Sequence, residues 1–362
     1  MSMNFIFTRR IYIQLILLFI PFAISAQPLY KNDTIVVADS ARSIAKIQPE
    51  IQSPVLLDVQ KTLDSLNGIQ SRPVRKSNLY YRLAVGFAKM KMYPLALKCF
   101  YFSTKKKARK SFNADSATKE QDEFYASLKQ ARENILQTSS GEAIAIFGDT
   151  VLVNKIKQRG ESSKPIEDSS IVNPFLDHKT ASAYGVIVHV KQPVRGKRRK
   201  IKLPGNVGHT FITLIKFNAD GSSVQRTFGF YPKKSLPLEA SPFFPNTPSY
   251  FKNDARHDWD EAVGKFIDKK QFDLILDLTK KYAKKRYHLS KNNCTDFGLN
   301  IASIAGIQIK HTKGKWLLGG GNDPADMGQS IRENEVATSN GKLFIYSQPL
   351  DSDDKLAKGN GE

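Results

Sequence analysis

The apolar positions of the chain recur with two different periods. Between Pro54 and about residue 137 they follow each other every three or four residues, which is the spacing of one face of a helix. From about residue 183, short β-branched runs alternate with turn residues, which is typical of strands, and helical patterns follow them. The pattern therefore predicts an all-helical region followed by an α+β domain.

Three helices are predicted at the start of the first pattern. The first carries Leu56, Val59 and Leu63 on one face, and the next two are separated by a break near residues 91–94. One repeat of such a pair cannot bury its own apolar face, so it must pack on neighbouring helices or on the second domain. A further helix is predicted over residues 119–136. The packing positions of the pair resemble a single tetratricopeptide repeat: Tyr80, Leu83, Ala84, Phe87, Ala96, Phe100 and Ser103.

The helical region has two interpretations, a docking surface for a protein partner and a support for the second domain. Cys99 falls within its third helix, among Leu95, Leu97 and Phe100, which favours a small buried apolar side chain. The alternative for this cysteine is a disulfide bond with Cys294.

The second pattern predicts strands first and helices afterwards. A tight turn within residues 218–222 joins two of the strands, because its Asp-Gly pair tolerates the positive φ of such turns. One helix is predicted from Asp258 to about residue 285, with a break near residue 269 as an alternative. A second helix is predicted from Cys294 to about residue 305. The strands are predicted at residues 185–190, 210–217 and 224–231.

These patterns divide the chain into six segments. Serine, glycine and proline between the helical region and the first strand are typical of a linker, within which residues 143–153 are apolar enough to add a strand. The segments are a signal peptide (1–26), a flexible leader (27–50), a helical tetratricopeptide-like region (51–137), a linker (138–182), an α+β domain (183–335) and a C-terminal extension (336–362).

The first 26 residues have the three parts of an export signal. A positive start ends in Arg9 and Arg10, an apolar run covers residues 11–24, and the small residues Ser25 and Ala26 offer a cleavage site. The run is too short to span a membrane comfortably, and an uncleaved anchor is the alternative. The sequence therefore predicts an exported protein, periplasmic or secreted.

The composition excludes several kinds of chemistry. Two cysteines cannot build a disulfide scaffold or a zinc site of several thiolates. The chain has no His-Glu-x-x-His, Walker or Gly-x-Gly-x-x-Gly motif, so neither a metal nor a cofactor is expected. A net charge of +21 favours anionic partners. Because export argues against nucleic acid, the expected partner is a peptidoglycan fragment or a phospholipid.

The sequence around Cys294 predicts the start of a helix. Asn293 is a good N-cap, and Asp296 lies where it can complete a capping box. Cys294 is then the first helical residue, where the helix dipole stabilises a thiolate and free N–H groups can receive the oxyanion of an acyl-transfer intermediate. This position favours a nucleophile over a structural cysteine.

His209 opens the predicted strand at 210–217, directly after Gly208. A lone histidine at such a place is usually a surface group. Paired in space with a cysteine at a helix start, it becomes the expected general base, because its ordinary pKa of about 6.5 suits proton transfer near neutrality.

The segments that carry these residues resemble the circularly permuted papain-like cysteine hydrolases, relatives of the NlpC-type peptidases and the lecithin retinol acyltransferases. The resemblance covers about residues 183–332, and its Asn-Cys-Thr element is fairly specific. It implies a half-barrel of antiparallel strands packed on the helix that bears Cys294, and a catalytic pair of Cys294 and His209. The matching stretches are residues 208–212, 229–232, 287–297 and 319–328.

Families of this kind orient the histidine with a third polar group, often from the neighbouring strand. A two-residue turn at Asp220 and Gly221 would place Pro232 opposite His209, and a slip of one residue would place Tyr231 there. Tyr231 is therefore the predicted third residue. Gln225 and Thr227 stay open as alternatives, because a shift of one residue reverses the faces of a strand.

Charged groups also cluster on either side of the predicted site. Basic runs at residues 191–202 and 280–286 predict an electropositive rim, with a solvated face as the alternative. Acidic and histidine side chains crowd before the first helix of the second pattern, where helix capping explains them and a metal site is the alternative. These residues are Asp254, His257, Asp258 and Asp260.

The sequence thus predicts an exported cysteine hydrolase, a thiol protease or amidase, that cleaves amide or peptide bonds in cell-wall material. Two other functions stay open. One is a lipid or lipoprotein acyltransferase or acyl hydrolase of the same fold. The other is a non-catalytic envelope-binding module, in which the papain-like domain has only a structural role.

Overall fold

The described part of the chain combines helices and strands, and the strands fall mainly in its second half. The structure is a computed structural model that describes residues 58–59, 61–63, 65, 73–104, 143–146, 149–152, 163–198, 207–236, 238–316 and 318–350. Its helices are α1 (Pro73–Lys89), α2 (Tyr93–Thr104), α3 (Asp168–Val172), α4 (Lys269–Ala283), α5 (Cys294–Ile304) and α6 (Pro324–Arg332), with a 3₁₀ turn at Asn173–Phe175. Its strands are β1 (Ala143–Ile146), β2 (Asp149–Leu152), β3 (Lys164–Ile166), β4 (Ala181–Lys191), β5 (His209–Asn218), β6 (Ser223–Pro232), β7 (Asn246–Thr247), β8 (Ser249–Asn253), β9 (Glu261–Ile267), β10 (Tyr287–His288), β11 (Ile307–Ile309), β12 (Lys313–Trp316), β13 (Gly319–Asn322), β14 (Val336–Thr338) and β15 (Phe344–Ser347).

A seven-stranded antiparallel sheet organises the fold, in the order β15-β9-β4-β5-β6-β8-β3. The three strands predicted from the sequence are β4, β5 and β6 in its middle. Every residue of β5 is buried, because helices cover both faces of the sheet. The prediction of a mixed α+β fold is therefore confirmed at this level.

The helical pair α1 and α2 covers one face of the sheet. Phe87 and Leu97 belong to the same apolar cluster as Phe211 of β5 and Phe344 of β15. The break between the two helices lies where the sequence predicts it, and Glu50–Glu362 forms one unit by its contacts. Of the two partners that the sequence left open for the pair, neighbouring helices or the second domain, the described residues show contact with the sheet of the second. Cys99 is fully buried in this cluster, and burial raises the pKa of its thiol.

The turn between α1 and α2 also contacts the loop that joins β8 to β9. Lys91 Nζ donates to the backbone oxygen of Arg256 at 2.5 Å, and Trp259 Nε1 donates to the hydroxyl of Tyr93 at 3.1 Å. Tyr93 and Trp259 are both buried. The helical pair therefore holds one side of the loop at residues 254–260, which also contributes to the candidate site described below.

Helices α4, α5 and α6 cover the other face of the sheet. Phe297 and Ile301 of α5 share an apolar cluster with Val188, Ile212 and Phe228. Helix α5 approaches β5 closely because Gly298 has no side chain; a Cβ there would lie 2.5 Å from Cγ2 of Thr210. This close contact places the N-terminus of α5 against the start of β5.

The helix predicted from Asp258 to about residue 285 is wrong in its first third. Residues 261–267 form strand β9, and α4 begins only at Lys269, after an N-cap at Asp268. The strand is buried almost throughout, because β4 and β15 flank it and helices lie on both faces. Such a strand lacks the polar and apolar alternation that separates strands from helices in sequence.

The regions beyond the central strands also carry regular structure. Within the residues assigned to the linker, β1 and β2 form a hairpin, and β3 lies at an edge of the main sheet. Within the residues assigned to a C-terminal extension, β14 pairs with β11 and β15 forms the opposite edge. The predicted export signal, leader and helix at 119–136 lie outside the described residues. In the part of the chain that the structure describes, no helix has the length and apolar character needed to cross a membrane.

Candidate active site

Cys294 is the first residue of α5, as the capping pattern predicts. The side chain of Asn293 accepts hydrogen bonds from the backbone N–H groups of Thr295 and Asp296 at 2.8 and 3.0 Å. Asp296 Oδ2 in turn accepts from the N–H of Asn293 at 2.9 Å, which completes the capping box. The cysteine is thereby fixed at the positive end of the helix dipole.

The cap changes one expectation about this helix start. The N–H groups of Thr295 and Asp296, which were expected to be free for an oxyanion, are occupied by Asn293. The N–H of Cys294 itself donates to the hydroxyl of Tyr287, which also contacts the thiol. Burial first, and then the charge of Cys294, raise the pKa of Tyr287 well above its ordinary value. A neutral phenol therefore lies at the point where the helix begins.

His209 lies at the start of β5, and its ring lies next to the thiol of Cys294. The backbone N–H of Thr210 and the hydroxyl of Thr295 are two further donors beside the sulfur. Burial works to raise the pKa of Cys294, but the bond to His209, its charge and these two donors together hold that pKa below its ordinary value. The surroundings of Cys294 therefore favour the thiolate.

The pKa of His209 moves in the opposite direction. Burial works to lower it, but the charge of Asp254 and its hydrogen bond, followed by the contact with Cys294, raise the pKa to about 9. At neutral pH the histidine is therefore protonated while the pKa of the cysteine is depressed. The pair is set up as a thiolate beside an imidazolium.

Asp254 is the residue that orients His209. It follows β8 directly, is fully buried, and its Oδ2 lies 3.0 Å from Nε2 of His209. That bond leaves Nδ1 as the ring nitrogen for the thiol. Burial works to raise the pKa of Asp254, but the charge and the bond of His209, with a bond from Ser163, hold it below its ordinary value. Cys294, His209 and Asp254 thus lie in sequence, with the histidine between the thiol and the carboxylate.

Tyr231 does not take the orienting position that the sequence predicts for it. The pairing of Phe211 with Gly229, continued by two residues, sets Tyr231 opposite His209, so the slipped register is the one the structure adopts. However, its hydroxyl donates to Oδ1 of Asp254 at 2.8 Å, and its ring lies against His209 with centroids 4.2 Å apart. Tyr231 therefore supports the orienting carboxylate.

The two alternatives to Tyr231 lie further along the same strand. Thr227 pairs with Thr213, and their hydroxyls are hydrogen-bonded at 2.8 Å. Gln225 pairs with Ile215, six residues beyond His209. The turn after β5 accounts for the register: Phe217 pairs with Ser223, so an odd number of residues, 218–222, lies between the paired positions, whereas a two-residue turn at Asp220 and Gly221 needs an even number.

The acidic cluster that contains Asp254 does not cap a helix, because the following element is β9. Its carboxylates diverge: Asp260 binds Lys191 and Arg195 at 2.8 and 3.1 Å, and Asp258 lies 3.8 Å from Lys91. The described residues contain no group of three His, Cys, Asp or Glu side chains that could hold a metal ion. The signal that could have separated Asp254 from its neighbours is the short aromatic strand before it, Ser249–Asn253.

The stretch at 319–328 holds the cysteine helix from the other side. It forms β13 and the start of α6, with Asp323 as the N-cap of that helix. Asn322 accepts from the side chain of Asn293 at 2.8 Å and donates to Asp296 at 2.7 Å. Both members of the capping box are therefore fixed by a second element of the fold.

The two basic runs differ in their surroundings. In the first, Lys191 and Arg195 bind Asp260, and Arg198 binds Glu333 at 2.6 Å and Glu335 at 3.0 Å. In the second, residues 284–286 are exposed to solvent, directly before β10 and the segment that leads to Cys294. The cations at 284–286 are thus exposed close in sequence to Cys294.

Gly229 makes the contact between His209 and Asp254 possible. A Cβ at this position would lie 2.2 Å from Oδ2 of Asp254 and 2.4 Å from Nε2 of His209. We expect Gly229→Ala to separate the pair and to slow alkylation of Cys294 at pH 6 by about 10–100-fold, as loss of a charge-assisted hydrogen bond implies. The matched control is Gly221→Ala, which has φ of +86° but no atom within 4 Å, and should leave the rate unchanged. An unaltered rate in Gly229→Ala would show that the pKa of Cys294 does not depend on the contact between His209 and Asp254.

A scan against protein-family models, a search of curated proteins and a search of solved structures each found no match for this chain.

Proposed function

We propose that the protein is an exported cysteine hydrolase with a permuted papain-like catalytic domain. The observation that carries this proposal is the buried hydrogen bond from Asp254 to His209, whose ring lies next to Cys294 at a capped helix start. A structural cysteine needs no such partners, whereas a nucleophile needs an adjacent base and an orienting group. The elements also follow the order that the sequence resemblance implies, with the histidine strand before the cysteine helix.

The reaction begins with attack of the Cys294 thiolate on a carbonyl carbon of an amide or ester. The negative charge that develops on the carbonyl oxygen is stabilised by the hydroxyl of Tyr287, at the positive end of α5. His209 then gives its proton to the leaving amine or alcohol, and the acyl group stays on the sulfur. Water, deprotonated by His209, releases the acid and restores the thiolate.

Peptide and amide bonds in cell-wall material are the first substrate class. The predicted export signal and the basic composition favour an anionic polymer outside the cytoplasm. Acyl transfer or acyl hydrolysis on a lipid or lipoprotein is the second class, favoured by the exposed apolar side chains beside the site described below. The binding-module alternative is less favoured, because Asp254 supplies the orienting carboxylate that a catalytic pair needs.

The test is hydrolysis of purified peptidoglycan and of phospholipid and lipoprotein substrates by the full chain. We expect one of these substrates to yield new carboxyl groups, and Cys294→Ala to abolish the product. Cys99→Ala is the matched control, because this second buried thiol lies on the opposite face of the sheet and its loss should leave turnover intact. Equal turnover by Cys294→Ala and the parent protein would refute the mechanism.

A further inference from the structure

An apolar loop with exposed side chains follows the strand that carries Tyr231. This loop, residues 233–245, joins β6 to β7. Four of its large apolar side chains are more than half exposed: Leu236 (65%), Leu238 (58%), Phe243 (61%) and Phe244 (58%). Four such side chains within nine residues form a patch of the kind that marks an interaction site, whereas scattered single ones would need no explanation.

The loop is folded, so its side chains are held outward. The backbone N–H of Ser235 donates to Glu239 at 2.7 Å, and the N–H of Ser241 donates to the backbone oxygen of Phe244 at 3.3 Å. Thr247 Oγ1 donates to the backbone oxygen of Lys233 at 2.8 Å and ties the base of the loop. Ala240 and Ser241 are buried within it. The exposure of the two phenylalanines is therefore a fixed feature of the loop.

The apolar loop lies directly beside the candidate active site. Strand β7, at its end, pairs with β10, and the N–H of Leu289 donates to the backbone oxygen of Pro245 at 2.9 Å. The segment from β10 leads into Cys294. The turn between β12 and β13 exposes Leu318 (67%), and Gly321 of β13 lies close to Ser290 of that segment. Exposed apolar groups thus lie in two loops that adjoin the segment leading to Cys294.

Basic side chains surround this apolar patch. Arg286 Nε lies 3.4 Å from Oδ1 of Asn246, and the hydroxyl of Ser249 donates to the backbone oxygen of Lys285. The loop's one acidic side chain, Glu239, has its carboxylate engaged by Ser235 and Thr247. The exposed basic residues of this collar are Lys233, Lys234, Lys284, Lys285, Arg286 and Lys291.

We propose that the apolar loop docks the protein on an anionic lipid bilayer. The exposed apolar side chains of the loop enter the interfacial layer, and the basic collar contacts the acidic head groups. Proteins that bind membrane surfaces combine these two kinds of contact. A second copy of the chain is a poorer occupant, because a symmetric contact would set two basic collars against each other. Docking does not depend on the proposed chemistry. Given that chemistry, it places Cys294 at the membrane surface and favours an acyl group of a lipid or lipoprotein as substrate.

The experiment follows the loop itself with an environment-sensitive dye. The full chain carries Cys294→Ala, so that no reactive thiol competes for the label, and Leu238→Cys receives nitrobenzoxadiazole. The matched control labels Leu176→Cys, which is equally exposed (60%). Leu176 precedes Asp177, which binds Asn218 at the far end of β5. The rise per residue of a strand puts Asn218 roughly 30 Å from His209 at the other end of β5. The probes are vesicles of phosphatidylglycerol with phosphatidylethanolamine, and vesicles of phosphatidylcholine.

We expect a blue shift and brighter emission at position 238 with the anionic vesicles, and no change at position 176. Replacing Lys284, Lys285 and Arg286 by glutamine should weaken the effect by about 100-fold in lipid concentration, about fivefold for each charge. Three results would overturn the proposal: no change at position 238, an equal change at position 176, or a change that follows protein concentration without lipid. Because the labelled protein is catalytically dead, none of these results depends on the proposed hydrolase activity.

Discussion

Alkylation of Cys294 by iodoacetamide is expected to be fast at pH 6, where an ordinary thiol hardly reacts. His209 and two further donors hold the pKa of Cys294 below its ordinary value, against the effect of burial. In His209→Ala only the smaller contributions remain to oppose burial, so the pKa should return to the ordinary value of about 8.5 or rise above it. The thiolate fraction at pH 6, and with it the alkylation rate, should then fall by about tenfold for each unit by which the pKa rises.

The measurement is the alkylation rate from pH 4 to pH 10, followed by mass spectrometry of the peptide that contains Cys294. Cys99→Ser provides the background, and burial with a raised pKa keeps Cys99 itself unreactive. Turnover of a substrate should behave differently from alkylation above pH 9. It needs the proton of His209 for the leaving group, and that proton is lost as the pH rises through the pKa of about 9. Two results would contradict an ion pair of Cys294 and His209. One is a parent protein whose alkylation rate depends on pH as that of an ordinary thiol does, and the other is a pH dependence that His209→Ala leaves unchanged.

Replacement of Asp254 by asparagine is expected to lower kcat/KM by about 10²–10⁴-fold, the range typical of a lost general acid–base function. The carboxylate accepts the Nε2 proton of His209 and is the first of the groups that raise its pKa. An amide can instead offer its own N–H to Nε2, which favours the wrong tautomer and leaves the imidazolium without its counter-charge. The pKa of His209 should fall from about 9, and the pKa of Cys294 should rise in response.

Tyr231→Phe is the matched control for this change. It removes one hydrogen bond to the same carboxylate, at 2.8 Å, and leaves the bond between Asp254 and His209 in place. Because a single hydrogen bond contributes about 1 kcal/mol, we expect a loss of roughly fivefold. The checks are kcat/KM for both variants and an NMR titration of the His209 ring. If the His209 ring titrated in Asp254→Asn as it does in the parent protein, Asp254 would not be the group that orients it.

The local part of the site could be predicted from the sequence because its determinants are close together in the chain. Asn293, Cys294 and Asp296 form their capping box within four residues, and the glycine before His209 marks a strand start. The pairing of His209 with Cys294 needed only the assumption that a base must face a nucleophile. Each of these predictions depends on short-range chemistry, which a sequence displays directly.

Asp254 escaped prediction because its role depends on pairing between strands. It reaches His209 because β8 lies beside β6, and the register places Asn253 opposite Phe228. The aromatic strand before Asp254 separates it from Asp258 and Asp260, but that local signal does not show which side chain the carboxylate reaches. The misassigned start of the helix at 258–285 has the same origin, since β9 owes its conformation to β4 and β15, which are distant in sequence.

The contact between the helical turn and the loop after β8 bears on how this protein could have been assembled in evolution. Lys91 and Tyr93 brace the loop that begins with Asp254 and ends with Trp259 and Asp260, while α1 and α2 cover the back of the sheet. A gene fragment encoding the strands alone would produce a sheet with one bare apolar face and an unbraced carboxylate. The helical hairpin and the sheet are therefore expected to be inherited together, and recombination between them should be selected against.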